Sequence, residues 1–477
     1  MIRKYFLAID DRLQTASFAR KALRKAFPDN WSFLIGELAL YCFVTLIATG
    51  LFLTMFFQAD PTVVIYEGSY LPLRGKEMSQ AYASVLNLSF DVDGGLLMRQ
   101  IHHWAALAFI AAISVHAGRV FFTGTFRKPR DLNWLIGCTL LVLALAEGFT
   151  GYSLPDDLIS GVGLRIAYSV LLSIPVIGAW ACFLIFGGEV PTDDTVPRFL
   201  IFHIMLLPGL VLAFVGAHLG LMWRQKHTNF AGKGRKEYNV VGSQFFPNMV
   251  MKMTGLMAAV FGILALTGAI FQINPIWLYG PYDPAQVAQP AQPDWYIGWL
   301  EGALRLFPDW SIVIGGYTFP NVFFPGIVLS GVFFGIMFMW PTIERKITKD
   351  EGIHHILDRP RDVPWRTAVG VAAFTFMFVL TLAGSNDVLA KYFGVNVDSL
   401  TIFLRYIVVL GPILAGIIAW RICLGLQRSE LHPAYPRRRT RFVRTESGGI
   451  ETEEVPAEVR MGDEPDIGAE PPAEIKS

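Results

Sequence analysis

Residues 99–119 read RQIHHWAALAFIAAISVHAGR. Arginines close both ends of an otherwise largely apolar run, and His102 and His116 lie 14 residues apart within it. A second run, RFLIFHIMLLPGLVLAFVGAHLGLMWR at 198–224, places His203 and His218 15 residues apart. A helix turns about 100° and rises about 1.5 Å per residue. Fourteen residues fall about 40° short of four full turns, and fifteen overshoot by about 60°. Each pair therefore shares one broad helix face, its members about 21–22 Å apart along the axis. That separation fits inside a hydrocarbon core of roughly 30 Å.

Composition places these runs in a membrane. Hydrophobic residues make up 53% of the 477 and charged residues only 17%, against about 25% charged in soluble domains. The apolar residues cluster in stretches of bilayer-spanning length. Eight spans are expected, near 33–57, 100–122, 133–154, 199–223, 253–273, 321–341, 366–386 and 401–423. The fold class is thus all-α, a polytopic membrane protein whose first four spans form a four-helix bundle around the histidines.

Loop charge orients the spans. With both termini cytoplasmic, the inner segments before the last span hold twenty Lys and Arg. The outer loops hold seven: Arg74, Lys76, Arg99, Arg165, Arg198, Arg305 and Lys391. Residues 171–188 (LLSIPVIGAWACFLIFGG) are also apolar enough to pass as a span. Counting them would put the basic 224–252 loop outside, and Pro175 and the glycines weaken them as a helix. They are read as a short helix lying along the outer surface.

Four segments result. Residues 1–32 are a cytoplasmic amphipathic N-terminal segment without a signal peptide, 33–230 the bundle with outer surface helices in 155–197, and 231–425 a C-terminal membrane region. Residues 426–477 form a tail, basic and then acidic. Its run Arg437, Arg438, Arg439, Arg441 and Arg444 suits anionic lipid head groups or serves as a topology signal. The Glu-, Pro- and Gly-rich stretch 446–477 reads as disordered. Cys42, Cys138, Cys182 and Cys423 each sit alone in apolar runs, forming neither a disulfide framework nor a zinc site. No C-x-x-C-H occurs, so no covalently attached haem of that type is encoded. A net charge of +1 gives no basic field for nucleic acid.

Both histidine-bearing runs are even-numbered spans and run the same way. His102 and His203 then share the outer depth, and His116 and His218 the inner one. Two imidazoles at each depth make two bis-histidine sites, one per b-type haem, and filled axial positions suit electron transfer. Hydrogen-bonded helix-packing histidines are the bland alternative, less apt for four at matched depths. His103 lies about 140° off the face of His116 and is read as a neighbour, not a ligand. Arg99, Arg119 and Arg198, at span ends, either pair with haem propionates or anchor the helices at the interface. Gly36/Gly50 and Gly137/Gly151 repeat the 14-residue period in the first and third spans. Such glycines let a flat macrocycle approach the backbone or let helices pack closely.

These residues resemble the cytochrome b subunit of the quinol:cytochrome c reductase (cytochrome bc) complex over about residues 30–425. The specific motifs are R-x-x-H…H-x-x-R (Arg99, His102, His116, Arg119), the glycine pairs, GYSLP at 151–155, RFLIFH at 198–203, and PDWY at 293–296, similar to the family's P-E-W-Y. The resemblance implies an oxidoreductase that oxidises quinol at an outer pocket built from the 151–170 region, including Gly163, and from Pro293, Asp294, Trp295 and Tyr296. It implies one electron for a Rieske iron–sulfur subunit and one crossing the two haems to an inner quinone site. Asp294 and Tyr296 are the implied catalytic residues; alone, Asp294 also reads as a turn cap. Further implied partners are a cytochrome c subunit, a second copy of the complex and a terminal oxidase in a supercomplex, in the bacterial plasma membrane.

Departures from the family narrow the type. Asp294 is one methylene shorter than the family's Glu. The 15-residue histidine spacing matches chloroplast-type and Gram-positive members, yet this chain is continuous. Leu34 stands where the chloroplast branch attaches a third haem through cysteine, so two haems are expected. At the inner quinone site Trp223 replaces a family histidine, and Lys252 is followed by Met253 where the family has Lys-Asp. Lys226 and His227 are candidate substitutes, or an ordinary basic loop. The combination resembles the actinobacterial type, whose quinone is menaquinone. The rival readings are another transmembrane b-haem reductase and a transporter with structural histidines.

Overall fold

The computed structural model describes residues 10–12, 14–189, 192–286, 292–431, 438–444 and 450–456. Among them are eight helices long and apolar enough to cross a membrane: α1 (Trp31–Thr54), α2 (Gly95–Phe122), α3 (Asp131–Ser153), α4 (Thr195–Gln225), α5 (Phe245–Ile270), α6 (Phe324–Thr348), α7 (Pro364–Gly384) and α8 (Val397–Ser429). Each overlaps one expected span. The protein is an all-α, multi-pass membrane protein.

Threonine hydroxyls on α1 are satisfied locally. Thr45 Oγ1 donates to the carbonyl of Tyr41 at 2.9 Å and Thr49 Oγ1 to that of Thr45 at 2.7 Å, as an apolar surround requires. On α8, Ile413, Leu414, Ile417 and Ile418 are all exposed, which suits hydrocarbon as the solvent.

Segment 171–188 does not span. A capping box starts a helix at Leu158–Leu172, with Asp157 accepting from the backbone N–H of Ile159 and Ser160. The chain then turns through Pro175 and Val176 (φ 67°) into a nine-residue helix, Gly178–Phe186. Nine residues reach about 14 Å, half a bilayer core. Trp180, Phe183 and Leu184 remain exposed on it.

Short strand pairs give an independent count of the spans. Ala26–Phe27, before α1, pairs with Ser243–Gln244, before α5. The two can meet at one end of the bundle only if an even number of spans lies between them, and α1–α4 are four. Asn229–Phe230, after α4, likewise pairs with Ile356–Leu357, after α6. Elsewhere Val63–Ile65 pairs with Glu77–Ser79. Ile312–Ile314 pairs with Tyr317–Phe319 around Gly315 and Gly316, whose φ values of 58° and 83° fit the two-residue hairpin turn that glycine favours.

Part of the tail falls within the described residues. The last helix runs to Leu431, and Arg438–Arg444 pairs antiparallel with Ile450–Pro456, Arg441 opposite Glu453. Arg437 and residues 457–477 lie outside the described residues, as do residues 1–9 of the amphipathic N-terminus. The rest of that segment includes a helix, Thr15–Leu23.

The largest core cluster fills the middle of the bundle. Tyr41, Cys42 and Phe43 of α1 meet Ala105, Phe109 and Ile110 of α2, with Ala144 of α3, Val211 of α4 and Leu264 of α5. Phe43 stacks on Phe109 at 5.6 Å. This apolar plug separates two cavities, one toward each end.

Candidate functional site

The four histidines meet in the expected pairs. The rings of His102 and His203 lie 6.1 Å apart, centre to centre, inclined at 72°. Those of His116 and His218 lie 6.4 Å apart at 74°. An ion held by two imidazole nitrogens at about 2 Å each would set ring centres about 6.3 Å apart. Both pairs match that span.

The unequal spacings are reconciled in the backbone. Residues Phe202–Leu206, which include His203, form a π-helical turn within α4. A π turn holds one more residue than an α turn. It absorbs the fifteenth residue, so His203 and His218 keep phase with His102 and His116.

Each glycine of the 14-residue repeat backs one histidine ring. A Cβ at Gly50 would lie 3.3 Å from His102 Cε1, at Gly36 3.1 Å from His116 Cε1, at Gly137 3.7 Å from His218 Cε1, and at Gly151 only 2.5 Å from His203 Cε1. Besides opening space, the glycines seat the imidazoles directly. The ring nitrogens differ between ends. His102 Nδ1 lies 2.9 Å from Thr49 Oγ1, and His203 Nδ1 lies 3.1 Å from the Glu147 carbonyl. His116 Nδ1 and His218 Nδ1 are buried without a partner among the described residues.

A cavity of about 380 Å³ surrounds the first pair, lined also by Gly50, Gly151 and Arg99. Buried Arg99 donates to the Asn274 carbonyl at 2.5 Å. One of about 250 Å³ surrounds the second, lined also by Gly36, Gly137 and Arg119. Arg119 lies over the Phe33 ring at 4.2 Å, and its Nε and Nη2 are buried without a partner among the described residues. Buried unpaired guanidinium nitrogens call for an anion. Arg198 does not reach either cavity. It binds Asp194 at 3.3 Å and the carbonyls of Phe183 and Leu184, closing the negative end of the Gly178–Phe186 helix.

A third cavity, about 600 Å³, opens beside the His102/His203 site. Gly163, Pro293, Asp294 and Tyr296 line it with Val162, Ile166 and Glu301. Tyr152, Asp294 and Tyr296 line both this cavity and that of His102/His203, forming a common wall. Tyr296 begins the buried side of the helix Trp295–Leu306 and donates its hydroxyl to Asp294 Oδ2 at 3.1 Å. Burial, then the adjacent carboxylate, pushes its phenol well above the usual range. The close seat of Tyr296 depends on Gly148, where a Cβ would lie 2.5 Å from its hydroxyl. Trp295 turns outward and is 43% exposed, so it does not line the cavity.

At the opposite end, Lys226 and His227 line the His116/His218 cavity with Phe27, Glu37, Arg130 and Asn133. His227 Nε2 is buried without a partner among the described residues. Burial, then the charges of Lys25 and Arg130, lowers its pKa to about 4. Trp223 and Lys252 lie outside the lining. Trp223 packs between Phe27 and Phe245 under Lys25 Nζ, and Lys252 pairs with Asp29.

Residues 107–281 match the family model described as cytochrome b (N-terminal)/b6/petB. The chain is 51% identical over 422 residues to the cytochrome bc1 complex cytochrome b subunit of Corynebacterium diphtheriae, covering 88% of this chain and 78% of that one. It is 50% identical to the counterpart from Streptomyces coelicolor, over 88% and 77%. The chain belongs to the cytochrome b family. It is similar in fold to a chain of a hyperthermophilic respiratory Complex III, with a TM-score of 0.62 at 18% identity, covering 86% of this chain and 98% of that one.

As a cytochrome b, the protein is a subunit of a membrane oxidoreductase of the respiratory chain, and b-type haem is the family's cofactor. The residues present fit that group: paired imidazoles at metal-bridging separation, ring-seating glycines, and Arg119 with unpaired nitrogens. Sequence reasoning placed Tyr152 only within the 151–170 region and missed His103, Glu301 and Glu37 as lining or partner residues. Glu301 and Glu37 lacked a motif, and the meeting of all four depends on helices distant in sequence.

Proposed function

We propose that this cytochrome b carries two non-covalent b haems, one between His102 and His203 and one between His116 and His218, and serves as the membrane core of a quinol:cytochrome c oxidoreductase. The His102/His203 end is read as outer and both termini as cytoplasmic, from the excess of Lys and Arg on the opposite loops. When bound, the haems supply two one-electron carriers stacked across the bilayer.

The chain's own residues do the rest. His102, His203, His116 and His218 would hold the two haem irons through their imidazoles, leaving them suited to electron transfer rather than oxygen chemistry. Arg99 and Arg119 would pair with the propionates at their respective ends. The 600 Å³ cavity accepts the ring of a quinol, menaquinol in the actinobacterial type, among Val162, Gly163 and Ile166. Asp294 accepts a proton from a quinol hydroxyl, and Tyr296 fixes its carboxylate. One electron leaves for a Rieske iron–sulfur subunit and thence a cytochrome c subunit. The other crosses to the inner end, where Lys226 and His227 face a quinone. Protons are released outside and taken up inside. The complex is read as a homodimer in the plasma membrane, able to join a terminal oxidase in a supercomplex.

The observation that carries this reading is the common wall. Asp294, Tyr296 and Tyr152 face a quinol-sized cavity on one side and the His102/His203 site on the other, so proton and electron acceptors flank one substrate position. Asp294→Asn tests it. Quinol oxidation is expected to slow about 10²–10⁴-fold with two haems per chain retained in the dithionite-reduced spectrum. Unchanged turnover would remove Asp294 from the reaction, and one haem or none would remove the two-carrier core.

A further inference from the structure

His103 follows a metal-ligand position but turns away from the ring pairs. Its Nε2 lies 2.9 Å from Asp294 Oδ1 and 3.0 Å from Oδ2. The two residues are 191 apart in sequence, and both side chains are largely buried, 15% and 14% exposed. Asp294 is also the residue that precedes the helix Trp295–Leu306, yet its carboxylate makes no capping bond to that helix. Aspartate is among the strongest N-caps and ordinarily takes that bond. Here the carboxylate has forgone the helix's backbone N–H groups for side-chain donors, one of them distant in sequence.

We propose that His103 is the positioning residue for Asp294: its Nε2–H holds the carboxylate in the wall common to the quinol cavity and the His102/His203 site, and so fixes where a quinol hydroxyl must arrive. The proposal rests on the reading of Asp294 as proton acceptor. An imidazole N–H donates in both the neutral and the charged form, so the role needs no change of protonation at His103. Two donors from different elements, His103 on α2 and Tyr296 on the Trp295–Leu306 helix, converge on one carboxylate. That leaves the carboxylate's remaining lone pairs to accept from substrate. The arrangement also answers the loss of a methylene relative to the family's Glu. A shorter acceptor has less reach of its own, and the imidazole anchors it from behind.

The test is a double-mutant cycle on the purified holo-complex, with 2,3-dimethyl-1,4-naphthoquinol as the quinol. His103→Ala, Asp294→Asn and the double variant are compared in kcat and KM, with haem content read from the reduced spectrum. A residue acting through Asp294 cannot cost more than Asp294 itself. His103→Ala is therefore expected to lower kcat about 10–100-fold with little change in KM, and to have no further effect in the Asp294→Asn background. His103→Gln, which keeps a donor of similar reach, is expected to recover most of the rate, and His103→Met, matched in length without the donor, none. This last comparison stands even if the alanine variant disturbs His102. Losses that multiply in the double variant, or a methionine variant as fast as the glutamine one, overturn the proposal alone. Full activity in Asp294→Asn overturns the reading of Asp294 and this proposal with it.

Discussion

Alanine at Gly151 gives the sharpest test of how the histidines are seated. The added methyl would lie 2.5 Å from His203 Cε1, 3.0 Å from Nε2 and 3.1 Å from Nδ1. Ordinary contact begins near 3.4 Å, so the ring must retreat by about 0.9 Å. It has nowhere to go. Glu147 and Thr150 hold Nδ1 at 3.1 and 3.4 Å, and the His102 ring faces it with centres 6.1 Å apart. Overpacking of this kind costs about 1–3 kcal/mol, or about 5–150-fold in the affinity of the outer haem. The same substitution at Gly137 places the methyl 3.7 Å from His218, in ordinary contact. There only the helix preference for alanine over glycine remains, a gain of about 1 kcal/mol. Haem content and a redox titration resolving the two carriers would read the contrast. Gly151→Ala should lose or loosen the outer haem alone, Gly137→Ala should leave both, and Gly36→Ala and Gly50→Ala should fall between. Equal tolerance at 151 and 137 would refute the idea that these glycines seat imidazoles.

Other perturbations probe separate parts of the chain. His116→Ala should remove the inner haem and leave the outer one, read as one haem per chain; retention of two would break the pairing. Arg366→Ala should destabilise the protein by about 3–5 kcal/mol, because it strands buried Glu344, whose two oxygens Arg366 Nε meets at 3.1 and 3.0 Å. Thermal unfolding in detergent checks this, and replacing both residues with Met and Leu should restore much of the loss. Burial raises the Asp156 carboxyl to about 6 despite the Ser79 hydroxyl at 2.5 Å. The folded state then binds a proton more readily than the unfolded one. Stability should fall by up to about 3 kcal/mol as pH rises from 4 through 6, then level off. Asp156→Asn should flatten that slope, and an unchanged midpoint–pH curve in the variant would contradict the assignment.

The spans were legible because a bilayer imposes one length and one composition on every crossing, and Pro175 with its glycines marked the false ninth. Four matched histidines were legible because helical phase is arithmetic. What escaped were matters of rotation at helix ends and of long-range partners. Arg198 carries the right charge at the right depth, but Asp194 and a helix terminus claim it. Trp295 belongs to the PDWY motif, yet the first residue of a helix can face outward while the next faces in. Lys252 was paired off by Asp29 in the N-terminal segment, which no local reading could anticipate. His103 was read as a neighbour of the paired histidines, and nothing in the sequence near it pointed to its contact with Asp294.

The π turn at Phe202–Leu206 has a bearing on how such chains diverge. A residue inserted into a spanning helix would normally rotate everything beyond it by 100° and carry one ligand out of register. Here the surplus is swallowed within a single turn around His203, so the two ligands tolerate a change in their sequence separation that the distance between them never feels. Deleting Leu206 should therefore be among the mildest single-residue deletions anywhere in the bundle, converting the bulge to regular helix with both imidazoles still facing their partners. The count of residues between His203 and His218 can then change while their angular phase is kept.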